Sequence, residues 1–245
     1  MREYKDCYIA FLDLLGFKNL ISKKNCDYIA GVFDAIYDTL NDGQLSQKYL
    51  TIQTNDVIKE NPLTLNQIHY KIMSDSICIY IESNVPNSLL TLIFVCLDFQ
   101  IRMLKMETPI ILRGGIIKGT LYVNEDIVFG KGLTDAYLLE EKIAKNPRII
   151  MPMNIVDTFH FQDNDDGKYN LLMTAILEKT QDGFYSIRYL LPFSIFDMSE
   201  HGEKLKKNIY KHLTEEFDPS VRSKYLYIQN ELQKYAMMKE KPKNV

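Results

Sequence analysis

The chain of 245 residues contains no tryptophan, only four cysteines, and no excess of positive charge. The cysteines show no Cys-x-x-Cys spacing, which argues against both a zinc site and a disulfide framework. Cys7 and Cys78 fall within apolar strand patterns, where a reduced thiol behaves as a small hydrophobic side chain. The formal net charge of −3 provides no basic field for a nucleic acid. Composition therefore excludes the common metal-finger, disulfide-rich and nucleic-acid-binding classes.

Long apolar runs are also missing. The longest, over residues 89–97, is interrupted by Thr91 and followed by Asp98, and it is too short to cross a bilayer. The N-terminal residues lack the apolar core of a signal peptide. We therefore expect a soluble, cytoplasmic protein that does not contact a membrane. Hydrophobic residues make up 46% of the chain, enough for a substantial core in one large domain or one domain with an appendage.

Apolar periodicity predicts an order of elements that is typical of an α+β fold. We predict strands over residues 7–12, 67–73, 76–82, 110–118, 120–129 and 148–151. We predict helices over 17–40, from a start within 84–87 to about 105, and over 133–144. The strand–helix–strand–strand–helix–strand core is the ferredoxin-like arrangement, a mostly antiparallel sheet with helices packed on it. Polar residues predict loops over 44–66 and 162–168, and a hairpin at Asp182-Gly183. We expect the core domain to span residues 1–195 and a helical extension to span 196–245.

Two acids lie where predicted strands end. Asp13 follows the first strand and leads into a glycine turn, and Asp75 occupies the turn between two later strands. Central antiparallel strands expose these two positions on the same edge of the sheet, so we expect the acids to meet. Their carboxylate oxygens are suitable ligands for hard divalent cations. The simpler alternatives are that Asp13 caps the following helix and that Asp75 is an ordinary turn residue.

Four short motifs occur in a characteristic order within residues 7–151. They are Asp13-x-x-Gly16-Phe17 after a strand, Asp75 in a hairpin turn, Arg113-x-Gly-Ile before a glycine, and Gly130-x-Gly132 before a helix. In this order and topology, the chain resembles the catalytic domain of class III nucleotidyl cyclases. Within that superfamily it is most similar to the bacterial pyrimidine cyclases of Pycsar anti-phage defence.

The resemblance implies that CTP or UTP is converted to the 3′,5′-cyclic nucleotide and pyrophosphate. Two Mg²⁺ or Mn²⁺ ions would be held by Asp13, Asp75 and the backbone carbonyl of Leu14. The turn at Gly16 and Phe17 would cradle phosphate oxygens. The active sites would be shared across a homodimer, one subunit giving the metal-binding acids and the other the glycine-turn helix. The product would be a second messenger that a separate effector reads.

The chain departs from the family where the transition state is usually stabilised. At the positions of the usual Asn and Arg on the glycine-turn helix, this sequence has Thr134 and Leu138. Thr134 can still donate a hydrogen bond, but Leu138 cannot replace a guanidinium. We expect Lys131, Lys145 and Arg148 to supply positive charge instead. The alternative for the two lysines is a solvated helix face.

Substrate contacts are also predicted away from the acids. Arg113 is expected to bind the substrate, or else to tie its strand to a neighbouring carboxylate. Lys71 and Ile127 stand at the base-reading positions and match neither an adenylate nor a guanylate cyclase. If the alignment is shifted by one residue, Asp126 takes the position of Ile127. Lys71 would donate to the O2 carbonyl of cytosine or uracil, or would simply extend from the sheet into solvent. A purine cyclase and a catalytically degenerate nucleotide-binding protein remain the alternatives.

The C-terminal segment has a helical pattern. Asp218 precedes Pro219 at a helix start, and Val221, Tyr225, Ile228, Leu232 and Tyr235 are spaced along one face. Pro219 and the Lys224-Tyr225…Asn230 pattern are also similar to the pyrimidine-cyclase group. We expect this helix to pack on the core or on a dimer partner.

Overall fold

The computed structural model describes residues 2–41, 63–107, 109–157, 175–195, 199–215 and 218–240. The predicted polar turn at 162–168 and most of the predicted loop at 44–66 lie outside these ranges. The strands are β1 (Lys5–Leu15), β2 (His69–Met73), β3 (Ser76–Glu82), β4 (Ile111–Val123), β5 (Val128–Phe129), β6 (Ile149–Pro152), β7 (Leu177–Lys179) and β8 (Phe184–Ile187). The helices are α1 (Phe17–Lys23), α2 (Cys26–Asn41), α3 (Ser88–Lys105), α4 (Lys131–Lys142), α5 (Met153–Asp157), α6 (Leu191–Ile195), α7 (Ser199–Glu215) and α8 (Pro219–Glu240).

The strands form one mixed sheet in the order β2-β3-β1-β4-β6-β8-β7, with β5 paired to the end of β4. Within the first four strands of this order, each pair of neighbours is antiparallel. Their spatial order and the intervening helices give the ferredoxin-like arrangement, so the predicted α+β fold is confirmed. β6 joins parallel to β4, because α4 carries the chain back across the sheet between them. The β7–β8 hairpin then extends the same sheet, as predicted around Gly183.

The main hydrophobic core lies between the sheet and the helices on one of its faces. β1 is central and buried over most of its length, and α3 is buried on nearly every side. The two C-terminal helices contribute to this same cluster through Leu205 and Ile209 of α7 and through Ile228, Leu232 and Tyr235 of α8. The helical region after the sheet, which the sequence predicts, is therefore present and packs against the sheet-bearing part of the chain.

Three predicted boundaries were wrong. The strand predicted over 120–129 is interrupted, because β4 ends at Val123 and β5 begins at Val128. The single helix over 17–40 is two helices, because Lys24 is extended and Asn25 begins a second helix by accepting the backbone N–H of Tyr28 at 3.0 Å. The predicted break at Gly119 does not occur, since β4 runs through it and pairs with Cys7. Gly119 is instead a packing position: a Cβ there would lie 2.7 Å from Cα of Gly132 in α4.

Candidate active site

The two acids meet at one edge of the sheet. Asp13 lies opposite Ser76 of β3, so the β2–β3 turn is directly beside it. The turn is tight, with Ser74 at a left-handed φ of 58°. The backbone N–H of Leu14 donates to the backbone carbonyl of Asp75 at 2.9 Å. This bond fixes the end of β1 against the turn and holds Asp13, Leu14 and Asp75 together, as the sequence analysis expected.

Arg113 links Asp13 to a third carboxylate. It faces Asp13 across the β1–β4 ladder, and its Nε–H donates to Asp13 Oδ2 at 3.0 Å. Arg113 Nε also lies 2.6 Å from Glu140 Oε1, but Glu140 Oε1 makes no hydrogen bond within the described residues. This second contact is therefore an ion pair. Arg113 thus contacts a carboxylate, as one of the two predictions for it stated, while its role in binding the substrate stays a prediction.

Sequence reasoning missed Glu140. Its side chain is only 4% exposed, and burial raises its pKa to about 7 against the opposing attraction of Arg113, while Asp13 repels its charge. The helical spacing of the sequence could have identified Glu140, because it follows Ala136 by four residues and so shares the buried face of α4. A carboxylate on that face required a cationic partner from the sheet.

Lys224 of α8 is the second residue that sequence reasoning left outside the site. Its side chain is half-buried, and it interacts electrostatically with both Arg113 and Asp13. Burial and repulsion by Arg113 lower the pKa of Lys224, whereas Asp13 and Asp218 oppose that shift. The helical extension therefore brings a cation to the Asp13 cluster.

The turn after β1 has the predicted shape. Gly16 adopts a left-handed φ of 84°, and its carbonyl accepts the backbone N–H of Leu20 at 3.0 Å. Phe17 is buried and makes an edge contact with Phe33, with ring centroids 5.6 Å apart. Any phosphate contact in this turn therefore comes from the backbone, since the Phe17 side chain belongs to the core.

The cations predicted to replace the missing arginine are held elsewhere. Lys131 forms an ion pair with Asp135 one turn further along α4. Lys145 donates to the backbone carbonyl of Glu141. Thr134 is exposed, and its hydroxyl donates to the carbonyl of Gly130 at 3.3 Å. All three groups are occupied within or just after α4, and their catalytic roles stay predictions.

Arg148 faces a different part of the molecule. It forms an ion pair with Asp182 of the β7–β8 turn, and this bond lowers the pKa of Asp182. Both residues line a cavity of about 670 Å³, which the β7–β8 hairpin shares with Tyr227 and Tyr235 of α8. In this arrangement Arg148 stabilises the β7–β8 hairpin, a role that the sequence analysis did not predict.

Lys71 meets the turn that contains Ile127. The Lys71 ammonium donates to the backbone carbonyl of Glu125, two residues before Ile127 in the β4–β5 turn. Asn124 closes that turn by accepting the backbone N–H groups of Asp126 at 3.1 Å and Ile127 at 2.7 Å. The Ile127 side chain is 52% exposed. The structure thus brings Lys71 and this turn together, with an apolar side chain facing outward beside them.

The donor set at the sheet edge is small. Within the described part of the chain, no group of three or more His, Cys, Asp or Glu residues is arranged to hold a metal ion. Asp13 and Asp75 are two carboxylates, and a magnesium site in an enzyme commonly uses one or two carboxylates and completes its shell with water and substrate phosphates. The pair therefore fits a metal that binds together with a phosphorylated substrate.

No protein-family profile matches the chain, and no curated protein matches it. Among solved structures, it is similar to the adenylyl cyclase CyaB from P. aeruginosa, with 13% identity over 76% of this chain and 95% of that chain, at a TM-score of 0.40. It is also similar to the catalytic core of a rhodopsin-guanylyl cyclase with converted specificity in complex with ATPαS. In that comparison the identity is 16% over 75% of this chain and 95% of that chain, at a TM-score of 0.40. Among the helices described, none is both long and apolar enough to cross a membrane.

Proposed function

We propose that this protein is a class III-like nucleotidyl cyclase that converts a nucleoside triphosphate to its 3′,5′-cyclic monophosphate and pyrophosphate. The observation that carries the proposal is the meeting of Asp13 and Asp75, fixed by the bond from Leu14 N–H to the carbonyl of Asp75. Two acids at adjoining strand ends, beside a glycine turn, form a pattern suited to a polyphosphate with its cations.

The reaction needs positioning more than covalent chemistry. The ribose 3′-oxygen forms a bond to the α-phosphorus, and the bond from that phosphorus to the oxygen shared with the β-phosphorus breaks. Pyrophosphate leaves, and the 3′-hydroxyl proton passes to water. Both reacting groups belong to one molecule, so holding them in line removes much of the barrier. Arg113 is anchored between Asp13 and Glu140 and keeps Asp13 in place.

Asp13, Asp75 and the carbonyl of Leu14 would hold Mg²⁺ or Mn²⁺. Such ions, when bound, favour loss of the 3′-hydroxyl proton and neutralise charge on the leaving pyrophosphate. Arg113 already bonds to one oxygen of Asp13, so the other oxygen is the one open to an ion. The backbone of Gly16 and Phe17 lies next along the chain and would contact phosphate oxygens.

For the base, we propose a pyrimidine, which would make the product cyclic CMP or cyclic UMP. Lys71 beside the turn of Ile127 offers a single cation and an apolar side chain. A pyrimidine presents a small edge that such a pair can satisfy, whereas a purine offers a longer edge with more groups to match. The presence of Lys71, which purine cyclases also use, supports an adenylate or guanylate cyclase as the second candidate.

We further propose that the active protein is a homodimer with shared sites and that its product acts on a separate effector in anti-phage defence. Exposed Ile127, Phe129 and Tyr137 give the β5–α4 region an apolar surface suited to a second copy. We propose that the site takes no nucleic acid and that the protein works in the cytoplasm.

A degenerate, nucleotide-binding member of the fold is supported by Leu138, which replaces the usual arginine.

One experiment tests the proposed reaction, its metal dependence and the choice of base. The purified protein is incubated with ATP, GTP, CTP and UTP in turn, with Mg²⁺ or Mn²⁺, and cyclic nucleotide is measured by mass spectrometry. We expect cyclic CMP or cyclic UMP to form fastest and EDTA to abolish it. Faster consumption of ATP or GTP would favour the purine cyclase, and binding of nucleotide without any product would favour the degenerate protein.

A further inference from the structure

The Asp13 cluster lacks a cation for the substrate. A nucleoside triphosphate brings several negative charges to a site that already contains Asp13, Asp75 and Glu140. Within the described residues, the one guanidinium at this cluster, Arg113, is shared between two of these carboxylates. Lys131 is held by Asp135 instead. Apart from the divalent cations proposed above, the described side chains of the sheet and of α4 at this cluster thus leave an incoming polyphosphate short of positive charge.

Lys224 is placed to supply that charge. Its side chain is half-buried and close enough to Asp13 and Arg113 for both charges to act on its ammonium. In the described part of the chain, the Lys224 ammonium forms neither a hydrogen bond nor a salt bridge. The absence of a fixed partner leaves its donors available to an anionic ligand.

Helix α8 holds Lys224 firmly in this position. At its start, Asp218 Oδ1 accepts the backbone N–H of Ser220 at 2.7 Å and of Val221 at 3.3 Å. Further along, Ile228 is fully buried in the main core, and the Tyr235 hydroxyl donates to Glu178 Oε2 of β7 at 3.1 Å. A lysine on a helix fixed at both ends loses less freedom on binding a ligand than one on a loop.

We propose that the C-terminal helix completes the active site, and that Lys224 binds the triphosphate of the substrate beside Asp13. This inference rests on the proposed cyclase function and gives α8 a part in substrate binding beyond packing. The ammonium donates hydrogen bonds to phosphate oxygens. Because it is a compact point charge with rotatable donors, it can bind them in more than one geometry. The extension is then required for substrate binding as well as for the core.

The test measures binding and turnover in three variants. Lys224→Met removes the charge and keeps much of the side-chain length, Lys224→Arg keeps the charge, and Arg222→Ala removes an exposed charge from the same helix as a control. Affinity is measured by calorimetry for CTP and for CMP, and turnover is measured with Mn²⁺. Thermal melting shows whether each variant is folded.

We expect Lys224→Met to weaken triphosphate binding about ten- to hundredfold, the range for losing one charge-assisted hydrogen bond. The monophosphate should lose much less affinity, Lys224→Arg should retain most of the binding, and Arg222→Ala should behave as wild type. A folded Lys224→Met variant with wild-type triphosphate affinity and turnover would overturn the inference and leave the cyclase proposal standing. If the wild-type protein binds triphosphates and forms no cyclic product, the cyclase proposal fails, while the binding comparison still decides the role of Lys224.

Discussion

Asp13 and Arg113 face each other across the β1–β4 ladder, and Arg113 Nε donates to Asp13 Oδ2 at 3.0 Å. This pair joins the first and third motifs of the sequence, which are 100 residues apart. It also explains how a carboxylate is tolerated next to a buried strand, since the guanidinium compensates its charge. The same pair connects the proposed metal ligand to Glu140 and brings α4 into the site.

The first prediction concerns the two acids. Asp13→Asn and Asp75→Asn should each lower turnover by at least about a hundredfold, because each removes a charged ligand from the proposed site of phosphoryl transfer. Circular dichroism should show an unchanged fold. Asp6→Asn, at an exposed position on the same strand, is the control and should keep wild-type turnover. Near-normal turnover in both site variants would contradict the two-acid site.

The second prediction concerns the proposed sharing of active sites across a homodimer. Asp13→Asn is mixed with a glycine-turn variant carrying Lys131→Ala and Thr134→Ala, each being inactive alone. If subunits exchange, mixed dimers have one intact site, and the mixture should regain about a quarter of wild-type turnover. Light scattering at the assay concentration checks the assembly. An active protein that stays monomeric at that concentration would exclude sharing.

The third prediction concerns Lys71, which we propose contacts the base in the ground state and the transition state alike. Lys71→Ala should therefore raise KM for the preferred nucleotide more than it lowers kcat. Lys206→Ala removes a surface lysine paired with Glu203 and serves as the control. An unchanged KM in Lys71→Ala would remove this lysine from base recognition.

The fourth prediction concerns pH. The pKa of Glu140 is raised from 4.5 to about 7 in the folded protein, so the folded state binds more protons than the unfolded state between these values. The stability contributed by this group is complete below about pH 4.5 and is lost as the pH rises through 7. Relative to wild type, the free energy of unfolding of Glu140→Gln should increase by up to about 3 kcal/mol between pH 4.5 and pH 8.

Urea denaturation in EDTA at a series of pH values measures this difference. Asp38→Asn changes an exposed carboxylate on α2, outside this cluster, and serves as the control for the loss of a surface charge. A constant difference between Glu140→Gln and wild type would mean that Glu140 titrates normally in the folded protein.

Much of the fold could be predicted from the sequence because its signals are local. Apolar alternation and helical spacing located the core strands and α3, and the strand–helix order identified the ferredoxin-like arrangement. The same reading missed the break between α1 and α2, since the cap by Asn25 interrupts an apolar pattern that continues across it. It also placed a break at Gly119, because a glycine in a strand has the same signature whether the chain turns or another backbone packs closely.

The sequence by itself determined which acids adjoin strands and which glycines shape the turns, since those properties depend on neighbouring residues. Only the tertiary structure decided which charges meet. Glu140 reaches Arg113 because α4 packs on β4, and Lys224 approaches Asp13 because α8 returns over the core. Lys131 and Arg148 were expected at the site and are bound to Asp135 and Asp182. Coulomb interactions depend on distance in space, and sequence spacing does not encode that distance for residues on different elements.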